Sequence, residues 1–268
     1  MHKNAWMICC CTAVLAAFGT FFRWLQDQVC FEEETGLAVR GSIWPYAVAL
    51  MIVIAAAVLA VVCFRMKNQP HTSFPDSLPA AFATSRRVCI VGGVVLGVLL
   101  AIGGAWLMIS SGTLASPGLQ RVLAVLTIVT GAAFIWQMLS IGDGETTSGT
   151  VVCASAPIVL LAFWLIVSYK VNIINPTISA YAIEILALCA ALIAFYELAG
   201  FAYGRPKAIK SIFWSQFAAF LCITALPDDR TGGQQLMLAA VAGILLFQSY
   251  LTASNIRPAV SGPAGGAQ

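Results

Sequence analysis

Charge is scarce in this sequence. Asp, Glu, Lys and Arg make up only 9% of its 268 residues. Soluble domains carry about a quarter, so the composition excludes an ordinary water-soluble enzyme. Histidine occurs twice, as His2 and His71; neither lies in a long apolar run, which removes bis-histidine haem ligation within a bundle. There is no His-Glu-x-x-His, no glycine-rich phosphate loop ending in Gly-Lys-Ser/Thr, and no Gly-x-Ser-x-Gly elbow. The zinc-protease, P-loop and serine-hydrolase chemistries that need those spacings go with them. No lysine sits mid-run to hold a Schiff base, because Lys170 lies at the end of its apolar segment. No Lys/Arg block is dense enough for nucleic acid. No polar stretch is long enough to bury a separate soluble core. Catalysis would have to rest on carboxylates, Tyr or Cys, so the expectation is a non-enzyme with no cofactor and no metal.

Apolar residues are what the sequence has. They account for 60% of the chain, with a mean hydropathy of +0.90. Eight apolar segments can be drawn, at residues 5–25, 43–64, 88–110, 119–141, 150–169, 178–203, 211–226 and 235–253. Each bilayer crossing takes about 20 residues, and eight crossings about 160, close to the apolar content available. Lipid offers no partner to backbone N–H and C=O groups, so each segment is expected to be a helix that satisfies them internally. The fold class is therefore an all-α integral membrane protein: a polytopic bundle of about eight transmembrane helices forming one domain over 1–253. A flexible Gly/Pro/Ala-rich cytoplasmic tail is expected over 254–268. The seventh segment is the weakest, because Pro227 ends it early; a short tilted span and a re-entrant segment both fit. Lys3 before an apolar run resembles a signal peptide. The run continues to Phe22 without a small-x-small cleavage site, so it reads as a retained first span.

Orientation follows from the cations, which are retained on the cytoplasmic side. With the N-terminus inside, Lys3, Arg65, Lys67, Arg86, Arg87, Arg205, Lys207, Lys210 and Arg257 fall inside, nine of the fourteen. Arg23, Arg40, Arg121, Lys170 and Arg230 fall outside, where most acidic residues also lie. Only the acidic loop over 142–149 does not support the scheme. Trp24, Trp44, Trp106 and Tyr169 map to the outer interface and Trp6, Trp136, Trp214 and Tyr250 to the inner one, the levels amphipathic rings prefer. Both termini inside is the consistent answer, in a cell membrane and by expectation a bacterial cytoplasmic one.

The third segment carries Gly93, Gly97, Ala101 and Ala105 on one stripe. Small residues at every fourth position let two helix backbones approach closely, whether the neighbour is internal, a second copy or another membrane protein. The sixth segment has a comparable face of Ala187, Ala190, Ala191 and Ala194.

That sixth segment also holds two acidic residues inside an apolar run, Glu184 and Glu197. Charge at membrane depth costs several kcal/mol, so such groups face a partner or a watery cavity. Thirteen positions separate them, about 20 Å along a helix at 1.5 Å per residue, so they serve two sites. Glu184 shares its depth with Arg23, Arg121 and Lys170. A salt bridge between helices, a vestibule for a solute and a site for an anionic headgroup all fit. Glu197 lies near Tyr196 and Tyr203, with Gln137, Gln216 and Gln248 at a similar level on three other helices. These groups either glue helices together, at about 0.6–2 kcal/mol per contact, or form a proton or substrate site.

Of nine cysteines, eight lie in apolar runs; Cys30 alone falls in a predicted loop, with no evident intrachain partner. The Glu32–Glu34 triplet reads as a solvated loop, since adjacent carboxylates lack the spacing of a Ca²⁺ site. No residue-level repeat is present. The leading functional expectation is a small-solute carrier, or the membrane subunit of one, with Glu184 and Glu197 as coupling or binding residues. The alternative is a non-catalytic interaction or regulatory subunit that docks a membrane partner, or a second copy, through the Gly93/Gly97/Ala101 stripe. The lipid bilayer is the one partner common to both.

Overall fold

The computed structural model describes residues 2–30, 42–68, 72–82, 87–113, 116–142, 148–172 and 178–258. The Glu32–Glu34 triplet, Arg40, His71, Asp143, Glu145 and the tail beyond 258 lie outside the described residues.

Those residues form nine α-helices: α1 (His2–Cys30), α2 (Trp44–Lys67), α3 (Leu78–Phe82), α4 (Arg87–Ser110), α5 (Pro117–Gly142), α6 (Ser148–Asn172), α7 (Ile178–Ala202), α8 (Ala208–Thr224) and α9 (Gly232–Ser254). Seven of them, all but α3 and α8, are long and apolar enough to cross a membrane. Among the described residues the one extended pairing is a two-residue bridge, β1 (Thr72–Ser73) antiparallel to β2 (Arg257–Pro258).

Local chemistry sets the ends. Pro45 sits in the first turn of α2, where its missing N–H costs nothing. The Thr231 hydroxyl accepts the Gln234 amide at 3.4 Å and starts α9, a side-chain N-cap. Past the end of α7, Gly204 adopts φ +69°, and Arg205 N donates to Gly200 O at 2.8 Å. A left-handed residue there turns the chain sharply, and glycine adopts it without a Cβ clash. Cys30 is not in a loop: it closes α1, is buried, and its Sγ lies 2.8 Å from Ser42 Oγ.

The exterior is apolar and the interior partly polar. Val53, Phe64, Val91, Val122 and Ile166 face outward, while Arg23, Thr127, Thr150 and Gln216 are buried. Water would penalise such a surface heavily; hydrocarbon would not.

α8 occupies the middle of this bundle. It packs on α1, α2, α7 and α9, and its residues from Phe217 to Cys222 are all buried. It runs from the end of the bundle that carries Lys207 to the end where Asp228 meets α1. The early stop at Pro227 thus follows a short helix that its neighbours α1, α2, α7 and α9 cover. A helix sheathed by protein needs no full-length hydrocarbon match. Its 17 residues cover about 25 Å at 1.5 Å each.

The small-residue stripe of α4 is filled from within. A Cβ at Gly97 would lie 2.6 Å from Ile135 of α5, and one at Gly131 would lie 2.7 Å from Gly97 O and 3.1 Å from the Ala101 Cβ. Gly93 abuts Met138 of α5 and Phe247 of α9, whereas Ala105 is exposed. The face that a partner-docking stripe would need is thus largely covered by the chain's own α5. Ala187, Ala190, Ala191 and Ala194 of α7 are buried.

Candidate functional site

At the end of the bundle where α1 finishes, four charged side chains form one continuous network. Arg23 Nε donates to Asp228 Oδ1 at 2.6 Å, Arg230 NH2 to Asp228 Oδ2 at 2.8 Å, and Arg230 Nε to Glu184 Oε2 at 3.3 Å. The charges alternate in sign, and their side chains are only 1–11% exposed. Unpaired, any of them would be very costly at this depth. Paired, they tie α1, α7 and the α8–α9 turn into one unit.

Each element supplies its residue for a local reason. On α1, Arg23, Gln26 and Asp27 share a face at i, i+3 and i+4, and Arg23 NH1 donates to Gln26 Oε1 at 3.0 Å. The α8–α9 turn is held by Arg230 NH1, which donates to Ala225 O at 2.8 Å. That bond satisfies a carbonyl at the end of α8, the position where a cation also meets the helix dipole favourably. Gln235 Nε2 reaches Asp228 O at 3.5 Å, and Gln234 Nε2 reaches Gln120 Oε1 of α5 at 3.4 Å.

The network forms part of the wall of a cavity of about 280 Å³. α1 contributes Arg23 and Asp27, α5 Gln120, α6 Trp164, Ser168 and Asn172, α7 Tyr181 and Glu184, and the turn Asp228, Asp229 and Arg230. Asp229 is exposed and Asp27 half-buried, so the cavity has a charged rim. A smaller apolar crevice of about 170 Å³ lies on the other side of Arg23, between α1, α2 and α7.

Of the acids read from the sequence, Glu184 stands in this wall. Its cation is Arg230; Arg121 and Lys170 are exposed and form no ion pair among the described residues, while Arg23 belongs to the same network through Asp228. Sequence reasoning puts Arg230 on the outer side but does not bring it, or Asp228, to Glu184. The signal that could have found them is the Asp-Asp-Arg cluster immediately after Pro227, pinned between two apolar helices.

The groups near the other end stay apart. Glu197 is half-buried and makes no hydrogen bond or ion pair among the described residues. Gln216 Nε2 donates to Ser249 Oγ at 2.9 Å and approaches Cys9 Sγ at 3.4 Å. Gln137 and Gln248 are buried, and no hydrogen bond joins any two of these four residues. Gln216 Oε1, Gln248 Oε1, Ser211 Oγ and Ser215 Oγ are buried without a partner among the described residues.

Among the described residues no three His, Cys, Asp or Glu gather as metal ligands. Comparison with family models, curated proteins and solved structures gives no match. The functional reading therefore rests on the geometry of this cavity.

Proposed function

We propose that the chain is a multi-pass protein of the cell membrane, by expectation a bacterial cytoplasmic membrane, and that it acts as a small-solute carrier or as the membrane subunit of one. The observation that carries this reading is the polar cavity. A bundle with an apolar exterior retains a charge network and a solvent-sized space at one end, where plain helix packing would have used apolar residues. Ligand sites commonly fall between the helices of bundles.

Eight crossings with both described ends cytoplasmic accord with the distribution of charge. Arg65, Lys67, Arg87, Arg205, Lys207, Lys210 and Arg257 belong to the end opposite the cavity, and Asp27, Glu184, Asp228 and Asp229 to the cavity end. The positive-inside rule then places the cavity on the outer face. In this reading α8 is a full crossing, Glu184 contacts solute from the outer side, and Glu197 is the candidate coupling acid on the inner half.

The test is uptake into proteoliposomes under an inward proton gradient, with methylammonium, alanine, glucose, lactate and phosphate offered separately. Accumulation of one of them above protein-free vesicles, abolished by Glu184→Gln, supports the carrier. If Glu197 couples the cycle, Glu197→Gln removes the pH dependence of that uptake. Failure of all five solutes to accumulate would count against the carrier.

A further inference from the structure

We infer that the outer cavity takes a small organic cation, a solute bearing an ammonium or guanidinium group. The inference rests on the reading of this cavity as a solute site and names the class of solute it admits.

The charge of the wall is the first ground. Four carboxylates, Asp27, Glu184, Asp228 and Asp229, face two guanidiniums, Arg23 and Arg230. The wall therefore carries two more negative than positive charges when all are ionised. The guanidiniums are committed to the protein. Arg230 donates from all three nitrogens, to Glu184, Ala225 and Asp228, and Arg23 donates to Asp228 and Gln26. An anion entering this space would meet occupied donors and surplus negative charge.

Free acceptors are the second ground. Glu184 is only 8% exposed. Its Oε2 binds Arg230, while Oε1 has no partner among the described residues although the side chain lines the cavity. A carboxylate oxygen in a cavity wall can accept a charge-assisted bond from a cationic N–H. The acid cluster therefore includes a member of the same wall with one oxygen that makes no hydrogen bond among the described residues.

The third ground is aromatic. Trp164, almost fully buried, and Tyr181 both line the cavity. An organic cation gains from ring faces as well as from carboxylates, whereas a hard inorganic cation would prefer a shell of oxygens. The volume of about 280 Å³ sits just below the usual range for drug-sized ligands, which suits a solute of few heavy atoms.

The experiment is equilibrium binding of radiolabelled methylammonium to the full chain in lipid nanodiscs, with guanidinium, acetate and phosphate as competitors. The expected result is saturable binding that guanidinium displaces and the two anions do not. Glu184→Gln and Asp229→Asn should each weaken it by at least about tenfold, the scale of one charge-assisted hydrogen bond. Asp76→Asn removes an exposed carboxylate at the opposite end and should leave binding unchanged. Asp229 is exposed, so its variant keeps the test valid if Glu184→Gln fails to fold. Displacement by phosphate or acetate, absence of methylammonium binding, or binding indifferent to both variants overturns the inference. The two readings fail separately. Uptake of lactate or phosphate without methylammonium binding preserves a carrier and removes the cation, and methylammonium binding without any uptake does the reverse.

Discussion

Arg23 and Asp228 stand 205 positions apart in the chain and 2.6 Å apart in space, both almost fully buried. Asp228 also holds Arg230, so one carboxylate compensates two guanidiniums. Asp228→Ala would leave both with a lost partner, and breaking a buried pair from one side costs about 3–5 kcal/mol. The neighbouring Asp229→Ala, at an exposed position, should cost little. Thermal denaturation of the detergent-solubilised protein separates them. Equal midpoints for the two variants would show that the network contributes nothing to stability.

Gly97 and Gly131 bring α4 and α5 into near backbone contact. A methyl at Gly131 would meet Gly97 O at 2.7 Å, so Gly131→Ala should destabilise by about 1–3 kcal/mol through overpacking. Gly118→Ala on the same helix meets nothing within 4 Å and should be neutral or stabilising, since glycine in a helix costs about 0.5–1 kcal/mol relative to alanine. Neither variant should change the oligomeric state, because this face is internal. A change in size-exclusion elution specific to Gly131→Ala would refute that.

Gln216 and Gln248 are both buried, yet they should respond oppositely to methionine. Gln216→Met loses the 2.9 Å bond to Ser249 Oγ and should cost about 1 kcal/mol, a typical net hydrogen bond. Gln248→Met removes an oxygen with no partner among the described residues and should be neutral or stabilising, because an unsatisfied buried polar atom carries a desolvation penalty of about 1–3 kcal/mol. Melting curves of the two variants check this. Equal losses would mean that Gln248 has a partner of its own.

The direction of α8 predicts sidedness. Lys207 and Asp229 are exposed at opposite ends of that helix. In a background with the nine native cysteines replaced, Lys207→Cys should react with an impermeant maleimide only in inside-out vesicles. Asp229→Cys should react only in right-side-out vesicles. Labelling of both from the same side would reduce α8 to a non-crossing segment and invalidate the eight-span topology.

Most of the helices were legible in the sequence, because a long uninterrupted apolar run is a local property. The segment expected over 119–141 appears as α5 (Pro117–Gly142), and that over 235–253 as α9 (Gly232–Ser254). Glu184 was legible for the same reason: a carboxylate inside such a run must find a partner. Which cation it finds was not. Arg121 and Lys170 matched its depth in one dimension, but they are exposed, and Arg230 reaches it from the α8–α9 turn.

What the sequence alone determined is the class of molecule: a helical bundle with an apolar exterior, few charges and no enzyme signature that relies on spaced histidines or a glycine-rich phosphate loop. Composition and run length suffice for that, since hydrocarbon admits few alternatives to helices. Only the tertiary structure decided that α8 lies at the centre, that α5 fills the stripe of α4, and that Arg23, Asp228, Arg230 and Glu184 share one wall. The physical reason is rotational. A helix that is apolar around its whole circumference carries no polar stripe to say which face turns inward. Its neighbours are then set by the packing of side chains far apart in the chain, which no local pattern records.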